Sequence, residues 1–197
     1  MTLMRLISFC LAAAIPMIQP ATAQDHGNVV TPSPSPGAPA AIASPYAGME
    51  KRLVKALSDQ QIAELRAGRG MGLALAAELN GYPGPLHVLE LADALQLSDE
   101  QRTQTKVLLE AMKAETVQIG ERIITKESVL DHLFAARLVT QISLNAITSE
   151  IGAARGELRS AHLRYHLAIT EILSPAQLTR YADLRGYAKP VFPIWLD

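Results

Sequence analysis

The sequence predicts an all-α protein built on an elongated antiparallel helical hairpin with short flanking helices, and three observations carry that prediction. Apolar residues recur at alternating steps of three and four through two long stretches. The phrase Leu-Ser-x-x-Gln occurs at Leu57–Gln61, Leu97–Gln101 and Leu173–Gln177, each time with the chemistry of a helix start. No run shows the sustained period-two alternation, rich in Val, Ile, Thr or aromatics, that marks a strand.

In chain order, residues 1–23 carry Arg5 as the only charge, an apolar run from Leu6 to Ile15, then Pro16, Pro20 and Ala21-Thr22-Ala23. That layout reads as a secretory signal cleaved after Ala23, with an apolar run too short to span a bilayer. Cys10 is the only cysteine and lies inside the signal, so the mature chain is expected to have neither disulfides nor thiolate chemistry. Residues 24–45 are Pro, Ala, Ser and Gly-rich; they cannot bury enough apolar surface to offset ordering entropy and read as a disordered linker.

Residues 46–188 form one domain-sized unit. At each Leu-Ser-x-x-Gln copy, Ser58, Ser98 or Ser174 can accept from the backbone N–H three residues on while Gln61, Gln101 or Gln177 reaches back, a capping box. Leu57 with Ile62 and Leu173 with Leu178 add hydrophobic staples; Arg102 stands at that position in the middle copy, which predicts a weaker start there. Ser58 to Ala67 is a short helix ended by Gly68. Met71 to Leu79 is a second, stopped by Asn80-Gly81, and Leu86 to Leu95 a third after the bend Tyr82-Pro83-Gly84-Pro85. The first long helix carries the seam Leu109, Met112, Thr116, Ile119, Ile123, Leu130 and Leu133, with Lys126 filling one position poorly. The second carries Leu144, Ile147, Ile151, Ala154, Leu158, Ala161, Tyr165, Ala168 and Ile172. Ala135 to Thr140 joins them, with Thr140 as N-cap, so the two should run antiparallel. A helix of roughly 35 residues is about 50 Å long, which makes the hairpin elongated. Residues 189–197 are an apolar tail.

Composition narrows function. The formal net charge is −1, and removing the signal takes away one Arg and no acid. Interspersed signs leave no footprint for nucleic acid. There is no Gly-rich phosphate loop, nucleophile elbow or His-Glu-x-x-His pair, so the reading is non-enzymatic, with no catalytic residues. His162 and His166 lie four apart, on one helix face, the spacing at which two imidazoles can share one ion. By spacing alone they suit flank residues that cover the core and face water better than ligands. Met112 fits the core seam, and Met71, between glycines, fits a hydrophobic plug better than a soft ligand.

An exported, cysteine-free helical hairpin with Leu-Ser-x-x-Gln at its first long helix and again just after the second resembles the Spy/CpxP superfamily, whose phrase is Leu-Thr-x-x-Gln; Ser98 and Ser174 keep the capping hydroxyl. The resemblance covers roughly residues 83–187. It implies a non-enzymatic periplasmic stress protein that binds or senses transition-metal ions, of the heavy-metal sensor or resistance type, with an ATP-independent chaperone holding unfolded clients as the alternative. On the metal reading it implies a Zn, Ni, Co or Cu site from His162 and His166, with His87, Glu90 and Glu110 from the opposite arm. Leu91, four residues after His87, departs from the paired histidines of the sensor type. It also implies a homodimer, with Val117, Ile124, Val129 and Ile169 as covering residues, and a membrane-anchored signalling partner.

Overall fold

In a computed structural model, residues 44–187 are described; the expected signal, nearly all of the linker, Ala188 and the apolar tail 189–197 lie outside them. Six helices follow a short 3-10 turn at Met49–Lys51: α1 (Asp59–Arg66), α2 (Leu75–Glu78), α3 (Pro85–Glu90), α4 (Asp99–Ala135), α5 (Gln141–Ile172) and α6 (Pro175–Arg185). Strands are absent from the described residues, and none of their helices is long and apolar enough to cross a membrane.

The predicted caps form. Ser58, Ser98, Thr140 and Ser174 each accept from the N–H three residues on, and Gln61, Gln101, Ser143 and Gln177 reach back. The middle box forms with the same two bonds as the others. Where a staple would be, Arg102 donates to the Leu97 carbonyl at 3.2 Å and to Asp93 at 2.7 Å, replacing an apolar clip with a charged one. Two of the repeated phrases also meet in space: Gln101 Nε2 donates to Gln177 Oε1 at 2.9 Å and Gln177 Nε2 to Gln101 Oε1 at 3.0 Å. Gln101 further donates to the Ile172 carbonyl at 2.9 Å and Gln177 to the Leu95 carbonyl at 3.3 Å. One amide pair thus caps two helices and ties the start of α4 to the end of α5, a part-buried network with every amide group used.

α4 packs lengthwise on α5, and the register is antiparallel: Glu115 meets Arg164 and Tyr165, Arg122 meets Glu157, and Lys126 meets Glu150. Such exposed pairs are each worth at most about 1 kcal/mol, so they fix alignment more than stability. The seam supplies the stability. Leu109, Met112, Thr116, Ile119 and Ile123 are buried on α4, and Ile147, Ile151, Ala154, Leu158 and Ala161 on α5. Toward the tip the prediction weakens: Leu130, Leu133 and Leu144 are only partly covered, while Phe134, Leu138 and Ile142 are exposed. Next to the half-buried Lys126, Glu127 is the buried residue, neutralised by Arg155 at 2.6 Å.

The flanking helices are shorter than predicted. α2 begins at Leu75 because Met71 (φ 43°) and Gly72 (φ 76°) hold left-handed backbone, which cannot propagate a helix. α3 ends at Glu90, with turns running to a left-handed Gln96. α1 lies on α4, where Ile62 and Leu65 join Val54, Leu57, Ile119, Ile123, Ile124, Leu158 and Ala161 in one core. A second core gathers Val88, Ala92, Leu95, Leu97, Ile169, Leu173 and Tyr181 around α3 and α6. Ile124 and Ile169, expected to cover a second copy, are therefore spent inside the chain. Of that set only Val129 is well exposed, at 43%, because the short helices occupy the flanks a partner would have used.

Candidate functional site

Where α2, α3 and the loop from Gly68 to Gly72 lie over the hairpin, they enclose a cleft of about 610 Å³. Its lining is largely apolar, with Met71, Leu75, Leu86, Leu109 and Met112, and includes His87 and His166. Met71, Leu75 and Leu86 are 38%, 55% and 46% exposed, whereas Leu109 and Met112 are buried. Met71 also lines a smaller cavity of about 100 Å³ against Leu57, Leu65, Ile123 and Leu158, so its side chain stands between two spaces, as a plug would.

His162 and His166 are both buried, not water-facing flank residues. The loops that cover them decide this. A Cβ on Gly70 would lie 3.9 Å from the His162 ring, and one on Gly84 would lie 2.9 Å from that of His166, a contact only glycine relieves. Burial first, and then the neighbouring His166, holds His162 below the usual histidine pKa, while a hydrogen bond from its ring to the Arg69 backbone opposes them. The ring is accordingly neutral near pH 7. Its Nε2 is buried and has no hydrogen-bond partner among the described residues. A histidine with a lowered native pKa binds fewer protons than its unfolded counterpart, so its contribution is complete above the unfolded value near 6.5 and is lost as pH falls below it. The unfolding free energy from urea titrations should fall between pH 7.5 and 5 with a slope of at most about 1.4 kcal/mol per pH unit from this group. In His162→Gln that part of the slope should vanish.

His166 is held differently. Its Nδ1 lies 2.7 Å from the Tyr82 carbonyl and 3.7 Å from Glu78 Oε2. Glu78 is itself buried, on α2, and accepts from the Gly84 N–H at 3.1 Å, from the Tyr187 hydroxyl at 3.0 Å and from the Tyr181 hydroxyl. Arg185 Nε is 4.0 Å away. Burial, and then this bond to Glu78, pushes the Tyr181 phenol well above its usual range and keeps it a donor. One carboxylate thus joins α2, the bend before α3, α5 and α6. Nothing in the sequence marked Glu78, Tyr181 or Tyr187; the only local signal was the Tyr82-Pro83-Gly84-Pro85 bend that brings Gly84 to it.

The remaining candidates sit apart. His87 on α3 lines the same cleft as His166, but its Nδ1 lies 2.9 Å from Glu90 Oε2 in a half-exposed pair. Glu110 is on the outer face of α4, 3.1 Å from Lys113. Among the described residues no three His, Cys, Asp or Glu side chains gather around a common point for an ion. The five side chains do not converge on one point: Glu90 is paired with His87, Glu110 with Lys113, and His166 Nδ1 faces the Tyr82 carbonyl. What remains of a nitrogen site is the Nε2 of His162 and that of His166, whose Nδ1 alone is engaged. Comparison of the chain with protein-family models, curated proteins and solved structures gives no match.

Proposed function

We propose that this is a non-enzymatic periplasmic stress protein of the Spy/CpxP type that holds unfolded clients without ATP, seating an apolar client segment in the cleft between the Gly68–Gly72 loop, α2 and α3. The observation that carries this is the cleft itself: about 610 Å³, apolar in lining, with Met71, Leu75 and Leu86 left partly open to solvent. Burying one large apolar side chain is worth about 1.5–3 kcal/mol. Three or four client side chains would thus gain roughly 8 kcal/mol, and association and ordering take much of it back. The outcome is weak, reversible holding, which suits release of a client without an energy source. The purified mature protein should suppress aggregation of a chemically denatured client at equimolar ratio without ATP. Leu75→Asp with Leu86→Asp, both at exposed positions, should lose that protection at unchanged helicity. Inertness of the wild type toward several unrelated clients would sink this reading.

A second reading, transition-metal binding, is favoured by one observation, the buried and unpartnered Nε2 of His162 one turn from His166. Two imidazoles supply half of a tetrahedral shell, so on this reading the remaining ligands come from water or from another chain. Isothermal titration with Zn, Ni, Co and Cu should then show stoichiometric uptake that His162→Gln with His166→Gln removes. No uptake by the wild type, or equal uptake by the double variant, ends it.

A further inference from the structure

The described chain ends beside the cleft. Tyr187 donates to Glu78 Oε1 at 3.0 Å and lies edge-on to Tyr181 with ring centroids 6.4 Å apart, and Glu78 is one of the residues lining the cleft. From that anchor the sequence continues Ala188-Lys189-Pro190-Val191-Phe192-Pro193-Ile194-Trp195-Leu196-Asp197. Extended at about 3.3 Å per residue, Val191 comes within about 13 Å of Tyr187 and Trp195 within about 26 Å, enough to run through a cleft of this volume.

Composition suits that path. Pro190 and Pro193 remove two backbone donors and bias Lys189 and Phe192 toward extended conformation, so seating this segment costs less ordering entropy than seating a free peptide. Val191, Phe192, Ile194, Trp195 and Leu196 match the apolar lining, and Arg69 and Lys113 in that lining offer cations to Asp197. We propose that residues 191–196 of this chain occupy the cleft as an intramolecular plug that a client must displace. This rests on the reading of the cleft as the client site and adds its regulation: the same apolar surface is covered at rest and uncovered by competition.

Trp195 is the only tryptophan in the chain, so fluorescence excited where tyrosine does not absorb reports on the plug alone. In the full mature chain its emission should lie to the blue of that of the urea-unfolded chain and be independent of protein concentration. Leu75→Asp with Leu86→Asp should move it to the red while far-ultraviolet circular dichroism stays unchanged. Phe192→Asp should loosen the plug and raise binding of 8-anilinonaphthalene-1-sulfonate, a dye for open apolar surface, several-fold. Water-like emission in the wild type overturns the proposal, as does blue emission indifferent to the cleft substitutions. A shift that grows with protein concentration would place the tail on a second copy and equally overturns it. The plug and the function fail separately: a responsive Trp195 with no client protection even in Phe192→Asp removes the chaperone reading and leaves the plug, whereas client protection with a solvent-exposed Trp195 does the reverse.

Discussion

Glu78→Ala should lower the stability of the folded protein by about 3 kcal/mol, read as a reduced urea midpoint at unchanged m-value, with a thermal midpoint lower by roughly 10 °C for a domain of this size. Two effects oppose each other. Burying a carboxylate is costly, and removing it recovers that cost. The donors it leaves behind decide the sign: the Tyr181 hydroxyl and the Gly84 N–H are both buried and would have no acceptor. Each orphaned donor costs about 1–3 kcal/mol. Glu78→Gln keeps one acceptor oxygen and should recover part of the loss. Tyr181→Phe should cost less than Glu78→Ala, and the double variant should cost less than the two singles together, since both act on one bond. A Glu78→Ala protein within about 0.5 kcal/mol of wild type, the range of an ordinary surface change, would show that this carboxylate does not tie the helices together.

Gly120→Ala should destabilise by about 2 kcal/mol even though alanine is the better helix former by about 1 kcal/mol. Gly120 lies in the middle of α4, where α1 crosses it; a Cβ there would stand 2.6 Å from the Leu65 carbonyl oxygen. That neighbour is backbone, so α1 itself must move. Gly152→Ala and Gly156→Ala make the same chemical change on α5, where a Cβ would meet nothing within 4 Å. These two should each stabilise by about 0.5–1 kcal/mol. Chemical denaturation of the three variants side by side tests the assignment, and a gain in stability from Gly120→Ala would refute the close approach of α1 to α4.

Several elements were legible because their causes are local. The boundaries of α1, α4, α5 and α6 follow from side chains within three residues of each start, and the seam on α4 and α5 from a repeat that any lengthwise helix pair requires. α2 was overestimated because its sequence is helical in composition, yet Met71 is held left-handed by the covering loop. His162 and His166 are buried by the Gly68–Gly72 loop and the Tyr82–Pro85 bend, both distant in sequence, and at Gly84 only a residue without a side chain lets the backbone come so close to the His166 ring. Glu78 offered no pattern at all, since its partners Tyr181 and Tyr187 come from the far end of the chain.

By itself the sequence determined that the chain is helical, where its long helices begin and end, and that they lie antiparallel, since caps and periodicity act over one or two turns. Tertiary structure alone decided which face of the hairpin is covered, that the two imidazoles are sealed in while Glu90 and Glu110 stay outside, and that an apolar cleft opens beside Glu78. The physical reason is range: a cap is made with the next few residues, whereas a cleft exists only once segments 80 to 110 positions apart have closed around it.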